Sequence, residues 1–144
     1  MKGFIITPLE EQKKLLERVM GYWNTSKASD YNQDRVKALQ TLSLKDSIEQ
    51  CILSMPEKPI LVATSAQIND QNPKLISIKN LQEKLKASPH QPMLLLFGTG
   101  WGLHPSVIDS VDYLLPPILG ANNNEFNHLS VRAAFSIYSY LMVN

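Results

Sequence analysis

A single cysteine, Cys51, stands in the whole sequence. One thiol excludes an intrachain disulfide framework, and in its apolar setting it reads as a small packed hydrophobe rather than a nucleophile. No apolar run approaches the about 20 residues that cross a bilayer, so no membrane span is expected. The amino-terminal residues Met1 to Ile6 lack the apolar length and small-residue cleavage site of a secretory leader, which makes the expected location cytoplasmic. Neither sign of charge dominates: 14 Lys and Arg against 13 Asp and Glu leave a net charge of +1, so there is no general attraction to nucleic acid. No spacing of Cys, His, Asp or Glu resembles a metal site, so no metal is expected. Ser65 and Ser130 have no identifiable base, so no nucleophile triad emerges, and no repeat or low-complexity tract interrupts the chain.

What remains is an ordinary globular composition, 44% apolar and 19% charged, in a chain of 144 residues that fits one domain, residues 1–144. Gly3–Thr7 reads as a short buried strand stopped by Pro8, and Thr7-Pro8 as the cap and first position of a helix whose apolar side carries Leu15, Leu16, Val19, Met20 and Trp23. Residues 24–32 read as turn, Asp34–Leu39 as a short helix and Leu39–Leu42 as a weak strand. Ser43 is the expected cap of a helix bearing Leu44, Ile48, Cys51, Ile52 and Met55. Pro59–Ala66 is apolar without alternation, the pattern of a central parallel strand. A loop over Gln67–Leu75 and a helix over Ile78–Ala87 follow. Met93–Phe97 is a second buried strand, residues from Pro105 a short helix, Tyr113–Leu115 a brief strand, and Phe126–Val143 a terminal helix with Leu129, Ala133, Ile137, Tyr140 and Leu141 on its apolar side. Alternating strands and helices predict an α/β fold, a mainly parallel sheet with helices on both faces.

Three strand ends carry polar or glycine-rich residues: Ala63-Thr64-Ser65-Ala66, Gly98-Thr99-Gly100-Trp101-Gly102, and Leu115-Pro116-Pro117-Ile118-Leu119-Gly120. In a parallel sheet all carboxyl ends share one edge, so these loops are expected to converge on one pocket. The glycine loop matches neither the dinucleotide fingerprint nor the lysine-bearing phosphate loop. It suits a ligand met by backbone N–H and C=O groups, with Leu103, Ile118 and Leu129 as an apolar wall. The bland alternative is that the glycines only turn a strand into a helix. Asn127 and Ser130 can cap the terminal helix, and capping alone would account for them. Arg132 lies near a helix amino end, where its charge is unfavourable, and invites a partner. His90 and His104 read as solvated.

Together LLLFGTGWGL, PPILG and NHLSVRAA resemble the motifs of the SPOUT superfamily, S-adenosylmethionine (SAM)-dependent RNA methyltransferases with a knotted α/β fold. The likeness is greatest to bacterial proteins similar to tRNA guanine-N1 methyltransferase, whose strand-ending motifs IITPL and VATSA resemble as well. The resemblance implies that SAM is held by Thr64, Ser65, the loop Gly98, Thr99, Gly100, Trp101, Gly102 and Leu103, the turn residues Ile118 and Gly120, and Asn127, His128, Leu129 and Ser130. It further implies a carboxyl-terminal trefoil knot, a homodimer, and methyl transfer to a tRNA or rRNA nucleotide, with Arg132 a candidate for binding an RNA phosphate or the cofactor carboxylate. Relatives begin with one further strand and helix, and this chain starts at what would be their second strand. The alternatives are a non-catalytic SAM- or partner-binding module derived from such an enzyme, and a Rossmann-like enzyme using another nucleotide.

Overall fold

A computed structural model describes residues 2–66, 71–119 and 129–143, which pack as two compact units, residues 1–56 and 57–144. In the first unit β1 (Gly3–Ile6) pairs in parallel with β2 (Leu42–Lys45), Gly3 opposite Leu42 and Ile6 opposite Lys45. Three helices connect them: α1 (Glu10–Trp23), α2 (Ser26–Tyr31) and α3 (Gln33–Gln40). After β2 comes α4 (Ile48–Leu53).

Several local expectations shift here. Helix α1 starts two residues beyond the expected position: the Thr7 hydroxyl accepts the Leu9 N–H (3.4 Å) and donates to Gln12 Oε1 (2.6 Å), leaving Pro8 outside the helix. Only part of its expected apolar stripe faces inward, since Leu16, Met20 and Trp23 are half-buried while Leu15 and Val19 are exposed. The polar stretch expected to be a turn contains α2, because Ala28 is fully buried and packing overrides a weak local preference. Helix α3 runs on through Leu39 and Gln40 to Thr41, whose hydroxyl donates to the Ala38 carbonyl, so the strand begins three residues later than expected. Ser43 and Leu44 therefore lie in β2, and Ser47 caps α4 by accepting the Gln50 N–H (3.3 Å). Cys51, 1% exposed, is packed as expected, and burial pushes its thiol pKa up.

In the second unit β3 (Ile60–Thr64) lies between β4 (Met93–Leu96) and β5 (Tyr113–Leu115), all parallel. Among the described residues the first unit thus holds a two-stranded sheet and the second a three-stranded one. Alternation along β3 divides the core of this unit. Val62, with Leu115, packs among Ile76, Leu81 and Tyr138, contributed in part by α5 (Ile78–Ala87) and α7 (Val131–Val143). Ala63, with Leu114, packs against Val111 and Ile108 at α6 (Pro105–Ser110). Helices thus cover both faces of this sheet, which explains why its central strand reads as unbroken apolar sequence.

The outer edge of β5 is covered by the chain at 74–76, where the Leu114 N–H donates to the Lys74 carbonyl (2.8 Å) and the Ile76 N–H to the Leu114 carbonyl (3.0 Å). Part of the expected loop Gln67–Leu75 is therefore sheet-bound, while 67–70 lie outside the described residues. On the other side Asp112 accepts the Leu61 N–H (2.8 Å) and fixes the register of β5 on β3. The inward face of α7 differs in part from expectation: Ala133 and Ile137 are half-buried, as expected, but the burial centres elsewhere. Tyr138 is 2% exposed, with Ala134 and Met142 half-buried beside it, whereas Tyr140 is 68% exposed and Leu141 lies outward. The helix is apolar around most of its circumference, so periodicity alone cannot select its buried side. Residues 126–128, expected as its beginning, lie outside the described residues.

Candidate functional site

The carboxyl ends of β3, β4 and β5 surround a cavity of about 670 Å³, a volume suited to a small organic ligand. With β3 connecting to β4 on one side and β4 crossing back to β5 on the other, this edge is the crevice where open α/β sheets take ligands. The pairing of β3 with β4 ends at Ala63 opposite Leu96. At the next residue the Thr64 hydroxyl donates to the Leu96 carbonyl (3.1 Å), leaving its oxygen lone pairs able to accept. Thr64 is buried, 9% exposed, and its hydroxyl is satisfied.

After β4 the glycines act for two different reasons. A Cβ on Gly98 would lie 2.2 Å from the Gly102 carbonyl carbon and 2.4 Å from the Leu103 nitrogen, so here the chain folds back against itself too closely for any side chain. Gly100 and Gly102 have open space around them but positive φ, +56° and +85°. The Gly102 N–H donates to the Thr99 carbonyl (3.2 Å), closing a four-residue turn in which only the first central residue has positive φ, the pattern of type II′. Trp101 occupies the other central position.

The cavity is lined by Thr64, Ser65 and Ala66 after β3, by Phe97 through Gly102 after β4, by Ile118 after β5, and by Leu129, Ser130, Val131, Ala134 and Tyr138 at the terminal helix. Ten of the residues singled out by resemblance are thereby brought together: Thr64, Ser65, Gly98, Thr99, Gly100, Trp101, Gly102, Ile118, Leu129 and Ser130. Leu103 is not among them; it packs beneath the loop against the Ala63, Val111 and Leu114 cluster. Gly120, Asn127 and His128 lie outside the described residues. Ser130 caps α7 by accepting the Ala133 N–H (3.2 Å), as the capping reading expects, and its hydroxyl proton makes no further bond among the described residues. Arg132 is exposed on the first turn of α7, outside the lining, and makes no ion pair among the described residues. His104 is exposed and caps α6 by accepting the Ser106 N–H.

Sequence reasoning missed the aromatic floor. Phe97 and Tyr138 line the cavity with tilted rings whose centroids lie 6.3 Å apart, and Phe135, outside the lining, meets the Phe97 ring edge-on at 5.9 Å. The Tyr138 hydroxyl donates to the Pro116 carbonyl (2.7 Å), tying the terminal helix to the end of β5. Burial raises the Tyr138 pKa, so its phenol stays neutral. The signal available was the four-residue spacing Ala134, Tyr138, Met142, which competes with an equally apolar spacing one residue away. Described residues contain no group of His, Cys, Asp and Glu able to hold a metal ion.

A family model described as SAM-dependent RNA methyltransferase matches residues 1–141. The chain belongs to that family. Among its relatives, a tRNA (guanine-N(1)-)-methyltransferase of Nitratidesulfovibrio vulgaris is 34% identical over 138 residues, covering 93% of this chain and 30% of that protein. An uncharacterized protein of Aquifex aeolicus is 30% identical over 140 residues, covering 94% of this chain and 65% of that one. The chain thus spans under a third of the first relative and just under two thirds of the second. Solved structures agree on the fold. A probable methylase family protein from Haemophilus influenzae superimposes with a TM-score of 0.61 at 17% identity, covering 98% of this chain and 64% of that one. TrmJ from Z. mobilis gives 0.59 at 15%, covering 99% and 68%. The α/β fold expected from the SPOUT-like motifs is therefore the fold of this family member.

The residues around the cavity fit the family's cofactor. Exposed backbone at the glycine turn and the hydroxyls of Thr64, Ser65, Thr99 and Ser130 can meet its polar groups, while Ile118, Leu129, Val131 and Ala134 supply an apolar wall.

Proposed function

We propose that this cavity binds SAM and that the protein transfers its methyl group to an RNA nucleotide. The observation carrying the proposal is the convergence of three parallel strand ends and a glycine turn on one cavity, in a member of a SAM-dependent RNA methyltransferase family. The bound cofactor supplies a methyl carbon on a sulfonium leaving group. The work left to the chain is alignment of the acceptor for in-line displacement. Backbone groups of residues 98–102 and the hydroxyls of Thr64, Ser65, Thr99 and Ser130 orient the ligand, and the Phe97 and Tyr138 rings hold the floor behind it. Leu103, Gly120, Asn127 and His128 belong to the proposed site by family likeness, Leu103 as the anchor beneath the loop. Arg132, exposed beside the lining residues Ser130 and Val131, is proposed to meet an RNA phosphate. A homodimer, a knotted terminal helix and a cytoplasmic location complete the proposal on the same likeness. No helix among the described residues is long and apolar enough to cross a membrane.

One observation favours a second reading, a non-catalytic SAM-binding module: the only titratable side chain lining the cavity among the described residues is Tyr138, kept protonated by burial. Two measurements separate the readings. Calorimetric titration with SAM and S-adenosylhomocysteine should give saturable heat; none at millimolar ligand with folded protein sinks the cofactor assignment. Transfer of labelled methyl from SAM to bulk tRNA or rRNA supports the enzyme, whereas binding without transfer supports the module.

A further inference from the structure

The two tryptophans live in opposite surroundings. Trp23 is half-buried, edge-on to Tyr22 (5.6 Å), near Tyr31 (6.4 Å) and covered by the Arg35 guanidinium at 4.9 Å. Trp101 is fully exposed, at 105% of its reference area, and no aromatic or cationic partner meets its ring among the described residues. It nevertheless lines the cavity. Its position at the rim is set by the backbone. Trp101 sits at the tip of the turn closed by the Gly102 N–H on the Thr99 carbonyl, between two glycines of positive φ. Gly98, packed against the returning chain, and Leu103, packed in the core, fix the base of that turn. The Trp101 backbone is thereby held at the rim of the cavity.

We propose that Trp101 is the platform on which the acceptor nucleobase stacks while it is methylated, an inference that rests on methyl transfer to RNA as the reading of this cavity. A base that enters a crevice at the edge of a sheet must leave its own stack, and a free indole face replaces the lost stacking. The chemistry of the surface matches such an occupant, being flat, aromatic, uncharged and set at the rim. The apolar wall for the buried ligand is supplied elsewhere, by Ile118, Leu129, Val131 and Ala134. A ring wholly in solvent suits a large partner arriving from solvent. Trp101 is in this sense a specificity-determining residue for the acceptor.

The test uses the intact chain, with Trp101→Ala and Trp101→Phe, both at a side chain whose removal disturbs no packing. Unfractionated bacterial tRNA is the probe. Addition of tRNA should quench tryptophan emission in the wild type, and most of that quenching should vanish in Trp101→Phe, which retains Trp23. Trp101→Ala should weaken tRNA binding and raise the KM for tRNA by about tenfold, while Trp101→Phe recovers most of the loss. SAM affinity without RNA, which residues 98–102 serve through their backbone, should fall far less than tRNA affinity in both. Four outcomes would overturn the proposal: tRNA binding and KM unchanged in Trp101→Ala; SAM affinity falling while tRNA binding holds, which would assign the indole to the cofactor; conversion of a dimer to a monomer, which would assign it to a second copy; or no tRNA binding by the wild type. Quenching and binding that depend on Trp101, in a chain that shows no heat with SAM, would support the platform while refuting the cofactor reading.

Discussion

Replacing Gly98 with alanine should damage the cavity more than any other single added methyl group. The new Cβ would stand 2.2 Å from the Gly102 carbonyl carbon and 2.4 Å from the Leu103 nitrogen, and both neighbours are backbone. Relieving the closest contact to 3.0 Å displaces that backbone by about 0.8 Å. The rim of the cavity lies on the displaced segment. Overpacking of this kind costs about 1–3 kcal/mol of stability, and a misplacement near 1 Å at a binding site can cost up to about a hundredfold in function. Gly98→Ala should therefore lower the urea midpoint with little change in slope and weaken SAM binding, by calorimetry, by about tenfold or more. Gly21→Ala is the matched control. That glycine sits within α1 with nothing within 4 Å of its added Cβ, so the change should stabilise the protein by up to about 1 kcal/mol and leave SAM affinity alone. A Gly98→Ala protein with unchanged stability and SAM affinity would refute the idea that the close backbone crossing shapes the site.

Tyr138→Phe removes the bond to the Pro116 carbonyl and should cost about 1 kcal/mol in urea unfolding. Burial raises the Tyr138 pKa, so its stabilising contribution is complete below the unfolded tyrosine value near 10 and is lost as pH rises through the folded value. Stability profiles from pH 9 to 11 should accordingly be flatter in Tyr138→Phe than in the wild type. Ser130→Ala deletes the side-chain cap on α7 and should lower stability by about 1 kcal/mol. If the same hydroxyl serves the ligand, calorimetry will also show weaker SAM binding than this stability change explains. Cys51, buried and with its thiol pKa raised, should react with a disulfide reagent at pH 8 only as fast as the protein opens, and promptly in denaturant.

The second unit was legible because its signals were strong and mutually consistent. Ile60–Ala63 and Met93–Leu96 are covered on both faces and read as unbroken apolar runs, and the helix at Ile78–Ala87 matches its expected bounds, with Ser77 capping it and Leu81 fully buried. The first unit was harder. Thr7, Ser43 and Ser47 are all plausible caps by composition, and only pairing of Leu42–Lys45 with β1 decides among the last two. Helix α2 depends on the burial of Ala28, a tertiary fact that no short polar segment announces. At the site, parallel strands made convergence foreseeable, whereas the Phe97 and Tyr138 floor depended on which side of an apolar helix turns inward. The glycine loop was readable as a close approach. That its closest contact would be with its own returning backbone was not.

The Thr64 hydroxyl on the Leu96 carbonyl has a consequence for how deep the crevice can be. Two parallel strands behave like a zipper, and this side chain is a stop on the last tooth: its hydroxyl adds a bond to the last β4 carbonyl of the ladder, while β3 stays fastened to β5 through Thr64 and Leu115. The fork between β3 and β4 therefore opens at a fixed point. A slip of one residue would reverse every inward and outward side chain on the strand and carry the stop to the wrong face. The floor level is thus set by one position in the sequence, and the walls above it can change composition without changing where the ligand comes to rest.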